Sequence, residues 1–173
     1  MVERSRKMQD DYGVFTLDMS VTSRVWQPQI ENASTPEGII NILRQFNLDA
    51  IADRLTDLRK LVEDDPEESP MELESLRSLA IFLMSEIRER QLPEPEIGVT
   101  PDGLIEIAWS LPPHNGILAM DFLLSGQIQY TAISAPAQHG VEQKTASGTS
   151  PKDEIMKDVQ SFISLLGRSR LDE

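Results

Sequence analysis

Apolar and polar residues alternate along residues 96–134, a pattern typical of strands with one covered face and one exposed face. A Pro-Asp-Gly turn at 101–103, a polar loop at 112–116 and a Ser-Gly turn at 125–126 divide this stretch into four short strands. We therefore predict a four-stranded antiparallel β-meander. The side chains expected to face its core are Ile105, Ile107, Trp109, Leu118, Met120, Phe122, Leu124, Ile128, Tyr130 and Ala132.

Apolar residues at three- and four-residue spacing predict helices on both sides of the meander. One of them carries a wide apolar stripe from Leu73 to Ile87, which indicates burial on two sides. Residues 135–150 are rich in Ala, Gly, Ser, Thr and Gln and are predicted to be a linker. The pattern as a whole predicts one α+β domain at residues 35–166, followed by a polar tail at 167–173. The expected helices cover residues 36–46, 49–63, 70–91 and 151–166.

Alternation with period two also marks the N-terminal segment, which we interpret as an extended arm covering residues 1–34. The arm is either an extra strand or flap packed on its own domain, or a segment that docks on another chain by strand addition. A Trp beside it suits an interface anchor and a core equally. On the second interpretation the partner-binding residues are Phe15, Leu17, Met19, Val21 and Trp26.

The chain of 173 residues has a net charge of −13, which argues against nucleic-acid binding and against electrostatic attachment to anionic membranes. Arg77, Arg88 and Arg90 sit among acids without interleaved aromatic residues, so they do not form a basic footprint. The charge is compatible with a basic protein partner or simply with solubility. Without cysteine, disulfides and thiolate metal sites are excluded. Neither a secretory signal nor a membrane-spanning apolar run is visible, so we expect a cytoplasmic protein.

Candidate metal ligands are few. Residues 63–74 contain seven acids and no base, but the spacing and the glycine of an EF-hand are absent. We interpret this run as a solvated loop between helices, with an acidic patch for a basic partner as the alternative. His114 and His139 lie in predicted loops and are not spaced as a helical ligand pair. We predict no metal site and no cofactor.

Catalytic motifs are also missing from the sequence, which has no Gly-x-Ser-x-Gly elbow, no phosphate-binding loop and no dinucleotide fingerprint. Glu106 and Asp121 are predicted on neighbouring strands and are the candidates for paired carboxylates. Acid–base catalysis requires such a pair to lie in a cleft with shifted pKa values. We expect these two side chains to point outward from the exposed face of the sheet instead.

Three features of the chain are distinctive in their order: the acidic break after residue 62, the Ser-Leu-Arg helix that follows, and the Asp-Gly hairpin that ends in Trp109. In these features, which span about half of the chain, the sequence resembles a group of uncharacterised short bacterial proteins. The resemblance implies a bacterial cytosolic setting and supplies no activity, substrate or catalytic residue.

Together these observations favour a non-enzymatic protein-binding module, such as an antitoxin-like protein, an immunity-like protein or a regulatory subunit that binds a partner protein. Two alternatives stay open. One is a self-associating structural protein whose stripe from Leu73 to Ile87 packs against a second copy. The other is a small enzyme with a carboxylate site at Glu106 and Asp121.

Overall fold

A computed structural model describes residues 25–65, 67–111, 116–134 and 144–166, and it confirms the predicted α+β class. Helices come first, then a five-stranded antiparallel sheet, then two short helices. The helices are α1 (Trp26–Asn32), α2 (Pro36–Gln45), α3 (Asp49–Asp64), α4 (Leu73–Phe82), α5 (Arg88–Arg90), α6 (Ile155–Asp158) and α7 (Gln160–Leu166), with a π-helical turn (Leu83–Ile87) joining α4 to α5. The strands are β1 (Glu96–Val99), β2 (Ile105–Leu111), β3 (Gly116–Phe122), β4 (Gln127–Ser134) and β5 (Lys144–Pro151).

The sheet is a meander in which every strand is antiparallel to its neighbours, in the order β1-β2-β3-β4-β5. Its predicted core face is confirmed from β2 to β4, where the inward side chains are buried and Tyr130 is half-buried. Leu124 is an exception, because β3 ends at Phe122 and the following turn leaves the Leu124 side chain 55% exposed. The core face of β3 therefore ends at Phe122, and the prediction that Leu124 belongs to it is wrong.

The helices cover one face of this sheet and form a single core with it. Helix α4 contacts β2 and β3, while α3 contacts β1. The Ser75 hydroxyl joins the two layers, because it donates to the carbonyl oxygen of Phe122 at 2.6 Å and accepts from the amide of Ile105 at 2.7 Å. The wide stripe from Leu73 to Ile87 is buried within its own chain, as its width predicted.

Strand β5 corrects the prediction of a sheet with only four strands and, at residues 144–150, the prediction of a linker at 135–150, whose residues 135–143 lie outside the described ranges. Its sequence, KTASGTSP, lacks the large apolar side chains that make a strand visible in a hydrophobicity pattern. Backbone pairing with β4 over its whole length holds it in the sheet instead. At Gly148 a Cβ would lie 3.1 Å from the Tyr130 hydroxyl oxygen, so the small residue makes room for that ring.

Helix α1 corrects the prediction that residues 1–34 form one extended arm, since residues 26–32 of that stretch are helical. Pro28 is tolerated because it lies in the first turn, where its missing N–H is not needed. The Trp26 side chain is only 5% exposed and lies in the core. Arg77 donates to the carbonyl oxygens of Ile30 at 3.3 Å and Ala33 at 2.7 Å, which fixes the end of α1 on α4.

The helix boundaries follow local hydrogen bonds. Thr35 caps α2, since its Oγ1 accepts from the amide of Gly38 at 3.1 Å. The helix predicted to begin at residue 70 begins at Leu73 instead, because the preceding segment pairs with the 101–103 turn. There the amide of Ser69 donates to the Pro101 carbonyl at 3.2 Å, and the amide of Glu72 donates to the Gly103 carbonyl at 2.9 Å. The helix predicted at 151–166 is split into α6 and α7, which begin after β5 ends.

Candidate functional site

On the face of the sheet opposite the core, the side chains of β2 to β5 are exposed or half-buried, and we call it the exposed face. Small and apolar side chains line its centre in cross-strand pairs. Ala108 lies opposite Ala119, and Ile117 lies opposite Ile133. The Ile117 side chain is 40% exposed. This gives a flat, partly apolar surface on strands β2 to β4.

Two carboxylates lie directly opposite each other at one end of the exposed face, near the start of β2 and the end of β3. The register of β2 and β3 pairs Glu106 with Asp121. The Glu106 side chain extends over Gly98 on β1, where a Cβ would come within 2.6 Å of Glu106 Oε1. The glycine therefore gives the Glu106 carboxylate room to turn away from Asp121, next to which Gln129 follows on β4.

The electrostatic environment of this pair is unfavourable. Like charges directly opposite each other on neighbouring strands destabilise a sheet. Neither Glu106 nor Asp121 forms an ion pair with any Lys or Arg of the described ranges. Partial burial raises the pKa of the Asp121 carboxyl above its ordinary value of 3.8, because desolvation disfavours the charged form. The prediction that these acids are neighbours on the exposed face is confirmed.

This geometry fits ionic recognition better than acid–base chemistry. The Glu106 side chain is exposed and that of Asp121 is half-buried. A cleft of about 260 Å³ lies between the start of β1, residues 108–110 of β2 and the end of α7, and it includes Ala108 of the exposed face but neither Glu106 nor Asp121. That volume is below the roughly 300–1,000 Å³ typical of small-molecule sites. A cation brought beside the half-buried Asp121 carboxylate, by contrast, would stabilise its charged form.

The other predicted site residues are distributed as follows. Trp26 lies in the core of its own chain, whereas Phe15, Leu17, Met19 and Val21 lie outside the described residues, as do His114 and His139. The acids of the run at residues 63–74 are exposed, whereas Ser69 and Leu73 within it are half-buried and Met71 is buried. Across the described ranges, no group of three or more His, Asp or Glu side chains is arranged to hold a metal ion.

The three arginines that were considered as a basic footprint are engaged in local contacts. Arg77 pairs with Glu74 in addition to its bonds to α1, and Arg90 pairs with Glu86 at 2.7 Å. The Arg88 guanidinium lies 5.7 Å from the centre of the Phe46 ring. None of the helices within the described ranges has the length and apolar character needed to cross a bilayer.

Sequence reasoning missed the apolar part of the exposed face. Ile117 and Ile133 lie on the exposed face of β3 and β4, whereas most large apolar side chains of these strands lie on the core face. The alternation of apolar and polar residues therefore predicted the core face only. The signal that would have revealed them is their register, which places the two side chains directly opposite each other. Register depends on loop geometry that the sequence alone does not determine.

No protein-family model, curated protein or solved structure matched the chain. The resemblance to short bacterial proteins therefore stays a prediction from the sequence.

Proposed function

We propose that this protein is a non-enzymatic protein-binding module and that its exposed face binds a basic segment of a partner protein. The observation that carries the proposal is the Glu106–Asp121 pair, two carboxylates held opposite each other with no compensating cation among the described residues. An arrangement that costs stability in the free protein is explained if a Lys or Arg of a partner completes it.

The surroundings of the pair suit a protein surface rather than a small ion. The small side chains of Ala108 and Ala119 allow a partner backbone to approach the sheet closely, and Ile117 offers apolar area beside them. Apolar area next to polar and charged groups is the usual composition of a protein–protein interface. The net charge of −13 attracts a basic partner from a distance as well.

The finer description is part of the same proposal. An antitoxin-like protein, an immunity-like protein or a regulatory subunit in the bacterial cytosol acts by occluding or positioning its partner, and such an action requires a binding face and no catalytic group. The alternative of self-association through Leu73 to Ile87 loses its surface, because that stripe is buried in its own core. An enzyme using Glu106 and Asp121 is less well supported, because the cleft between β1, β2 and α7 includes neither of them.

Affinity capture of the tagged protein from its native cytosol, with mass spectrometry, tests the proposal. The informative variant is Ala119→Arg, which places a bulky cation in the centre of the exposed face. Ser161→Arg on the exposed side of α7 makes the same change of charge away from that face.

We expect a stoichiometric partner with basic surface segments to be captured by the wild type and by Ser161→Arg, and to be lost with Ala119→Arg. Circular dichroism confirms that the two variants are folded. Capture of the same partner by Ala119→Arg at wild-type yield contradicts the assignment of this face, and recovery of the bait alone contradicts the proposed function.

A further inference from the structure

A cleft borders the exposed face where the pairing of β1 with β2 stops. The last pair of these two strands is Glu96 with Ala108. The cleft of about 260 Å³ has Pro93, Glu94 and Glu96 on one side, residues 108–110 on the other, and Leu166 of α7 beside them. At about 30 Å³ for a group the size of a water molecule, one arginine side chain takes up roughly 200 Å³. The cleft therefore has room for one long side chain.

The lining of this cleft is apolar in its less accessible part and acidic in its exposed part. Trp109 and Leu166 are buried, and Pro93 and Ala108 are half-buried. Glu94 and Glu96 are exposed and carry the charges of the lining. Neither of them forms an ion pair with a Lys or Arg in the part of the chain that the structure describes. A cation on a long apolar stem matches such a lining, because the stem packs on apolar surface while the charge stays near water.

The two sides of the cleft are held in place before any side chain enters. The indole N–H of Trp109 on β2 donates to the carbonyl oxygen of Pro93 at 2.9 Å, which ties β2 to the segment before β1. Pro93 and Pro95 stiffen that segment, because the proline ring fixes φ. A preformed site spends less free energy on ordering its own groups when it binds.

We propose that this cleft binds one arginine side chain from a segment of the basic partner. The aliphatic part of the arginine packs on Ala108 and Leu166, and its guanidinium donates to the carboxylates of Glu94 and Glu96. Arginine suits the site better than lysine, because the planar guanidinium is more weakly hydrated than an ammonium and presents several donors to two carboxylates at once.

The position of the cleft connects it with the exposed face. Ala108 belongs to both, and it lies two residues from Glu106 on the same strand. A single extended segment can therefore place one basic side chain in the cleft and another beside the Glu106–Asp121 pair. That the arginine comes from the basic partner rests on the proposed function, whereas the preference of the cleft for arginine can be measured without that partner.

The indole N–H of Trp109 reports on the cleft in the full-length chain. The protein has two tryptophans, so a ¹H–¹⁵N spectrum contains two indole resonances, and that of Trp26 in the core is an internal control. The ligand to be titrated is the peptide acetyl-Gly-Arg-Gly-amide. The same peptide with citrulline, whose side chain has a similar shape and no charge, is the matched control, and the same peptide with lysine tests the preference for a guanidinium.

We expect the arginine peptide to shift the Trp109 resonance saturably, to leave the Trp26 resonance unchanged, and to bind at least tenfold more tightly than the citrulline peptide. Nuclear Overhauser effects should connect the arginine δ protons with the Ala108 methyl group. Equal binding of the arginine and citrulline peptides, or no saturable shift at Trp109, overturns the proposal. Tighter binding of the lysine peptide overturns the choice of arginine.

Two double variants separate the cleft from the general acidity of the chain. Glu94→Gln with Glu96→Gln removes the charges of the lining. Glu67→Gln with Glu68→Gln makes the same change of charge at two exposed acids outside the cleft. We expect the first pair to weaken binding of the arginine peptide at least tenfold and the second pair to leave it unchanged. Equal affinities of the two double variants overturn the site, because the attraction would then be non-specific.

A further double variant tests whether the chain supplies its own arginine. Arg168 and Arg170 follow Leu166 in the sequence. We expect Arg168→Gln with Arg170→Gln to leave the Trp109 resonance and the peptide affinity unchanged. A shifted resonance without peptide, together with tighter peptide binding, overturns the assignment to a partner. Peptide binding requires no captured partner, so its failure overturns the cleft alone, whereas recovery of the bait alone in affinity capture contradicts the proposed function.

Discussion

The contact between the 101–103 turn and the segment before α4 can be tested by giving Gly103 a side chain. Gly103 has a φ of +80°, and a Cβ at this position would overlap the carbonyl oxygen of Pro70. Gly126 is a matched control, because it has nearly the same φ, +77°, and a Cβ there meets no atom within 4 Å. The pair Gly103→Ala and Gly126→Ala therefore separates the cost of the backbone conformation from the cost of the overlap.

The structure gives the expected size of both effects. A non-glycine residue in the left-handed region costs about 1 kcal/mol of unfolding free energy after the loss of freedom in the unfolded chain is included, and both variants bear this cost. Relieving the overlap at Gly103 must move the Pro70 backbone. That movement weakens the two hydrogen bonds from Ser69 to Pro101 and from Glu72 to Gly103. With about 0.5–1.5 kcal/mol for each bond, Gly103→Ala should be less stable than Gly126→Ala by about 1–3 kcal/mol.

Urea unfolding followed by tryptophan fluorescence measures this difference, since Trp26 and Trp109 are both buried and report on the helices and the sheet. With a slope of about 2 kcal/mol per molar urea, the midpoint of Gly103→Ala should lie about 0.5–1.5 M below that of Gly126→Ala. Equal midpoints would mean that the 101–103 turn does not pack on Pro70 as described, and the explanation for the late start of α4 would then fail.

Three further substitutions test other parts of the structure. Ser75→Ala removes both hydrogen bonds that join α4 to the sheet and should lower the unfolding free energy, measured in urea, by about 2–4 kcal/mol. The control is Ser85→Ala, whose hydroxyl donates only to the Ile81 carbonyl in the same helical segment and whose loss should cost under about 1 kcal/mol. Equal costs for the two variants would refute the role of Ser75. Trp26→Ala should lower the unfolding free energy by about 3–5 kcal/mol because the ring is buried. The control Val25→Ala, at a side chain that is 60% exposed, should lie within about 0.5 kcal/mol of the wild type. A loss of similar size for Trp26→Ala would contradict its place in the core and make it an interface anchor again. Asp121→Asn should change how the unfolding free energy depends on pH, because burial raises the pKa of Asp121 in the folded protein above 3.8. The stabilising contribution of the protonated carboxyl is therefore complete below pH 3.8 and is lost as the pH rises through the folded-state pKa. The stability of the wild type relative to Asp121→Asn should therefore fall with rising pH across this window, and a constant or rising difference between the two unfolding curves would contradict the burial of this carboxyl.

The elements that the sequence predicted correctly are those whose structure is determined by burial. Strand β2 alternates strictly between buried and exposed positions, so its pattern reveals both its type and its core face. Helix α2, predicted at 36–46, is observed at Pro36–Gln45, where the Thr35 cap and the proline of its first turn act locally. Signals of this kind depend on neighbours in sequence only.

The features that the sequence did not reveal depend on neighbours in space. Strand β5 is held by backbone pairing with β4, which leaves no hydrophobic pattern. The start of α4 is delayed by a segment that pairs with a turn about thirty residues later. In the candidate site, the pairing of Glu106 with Asp121 was predictable, but that no Lys or Arg of the described part of the chain pairs with them became visible only from the structure.

We propose that the Glu106–Asp121 pair lowers the stability of the free protein and that a basic partner binding to the exposed face compensates for this cost. The most direct test measures two properties of Asp121→Asn near neutral pH: its unfolding free energy, and its affinity for the captured partner by titration calorimetry. Asp57→Asn, at an exposed acid on α3, makes the same change of charge away from this face. We expect Asp121→Asn to have a higher unfolding free energy than the wild type and at least tenfold lower affinity for the partner, while Asp57→Asn changes neither quantity. Unchanged affinity together with increased stability would contradict the claim, because it would show that the Asp121 carboxylate takes no part in binding.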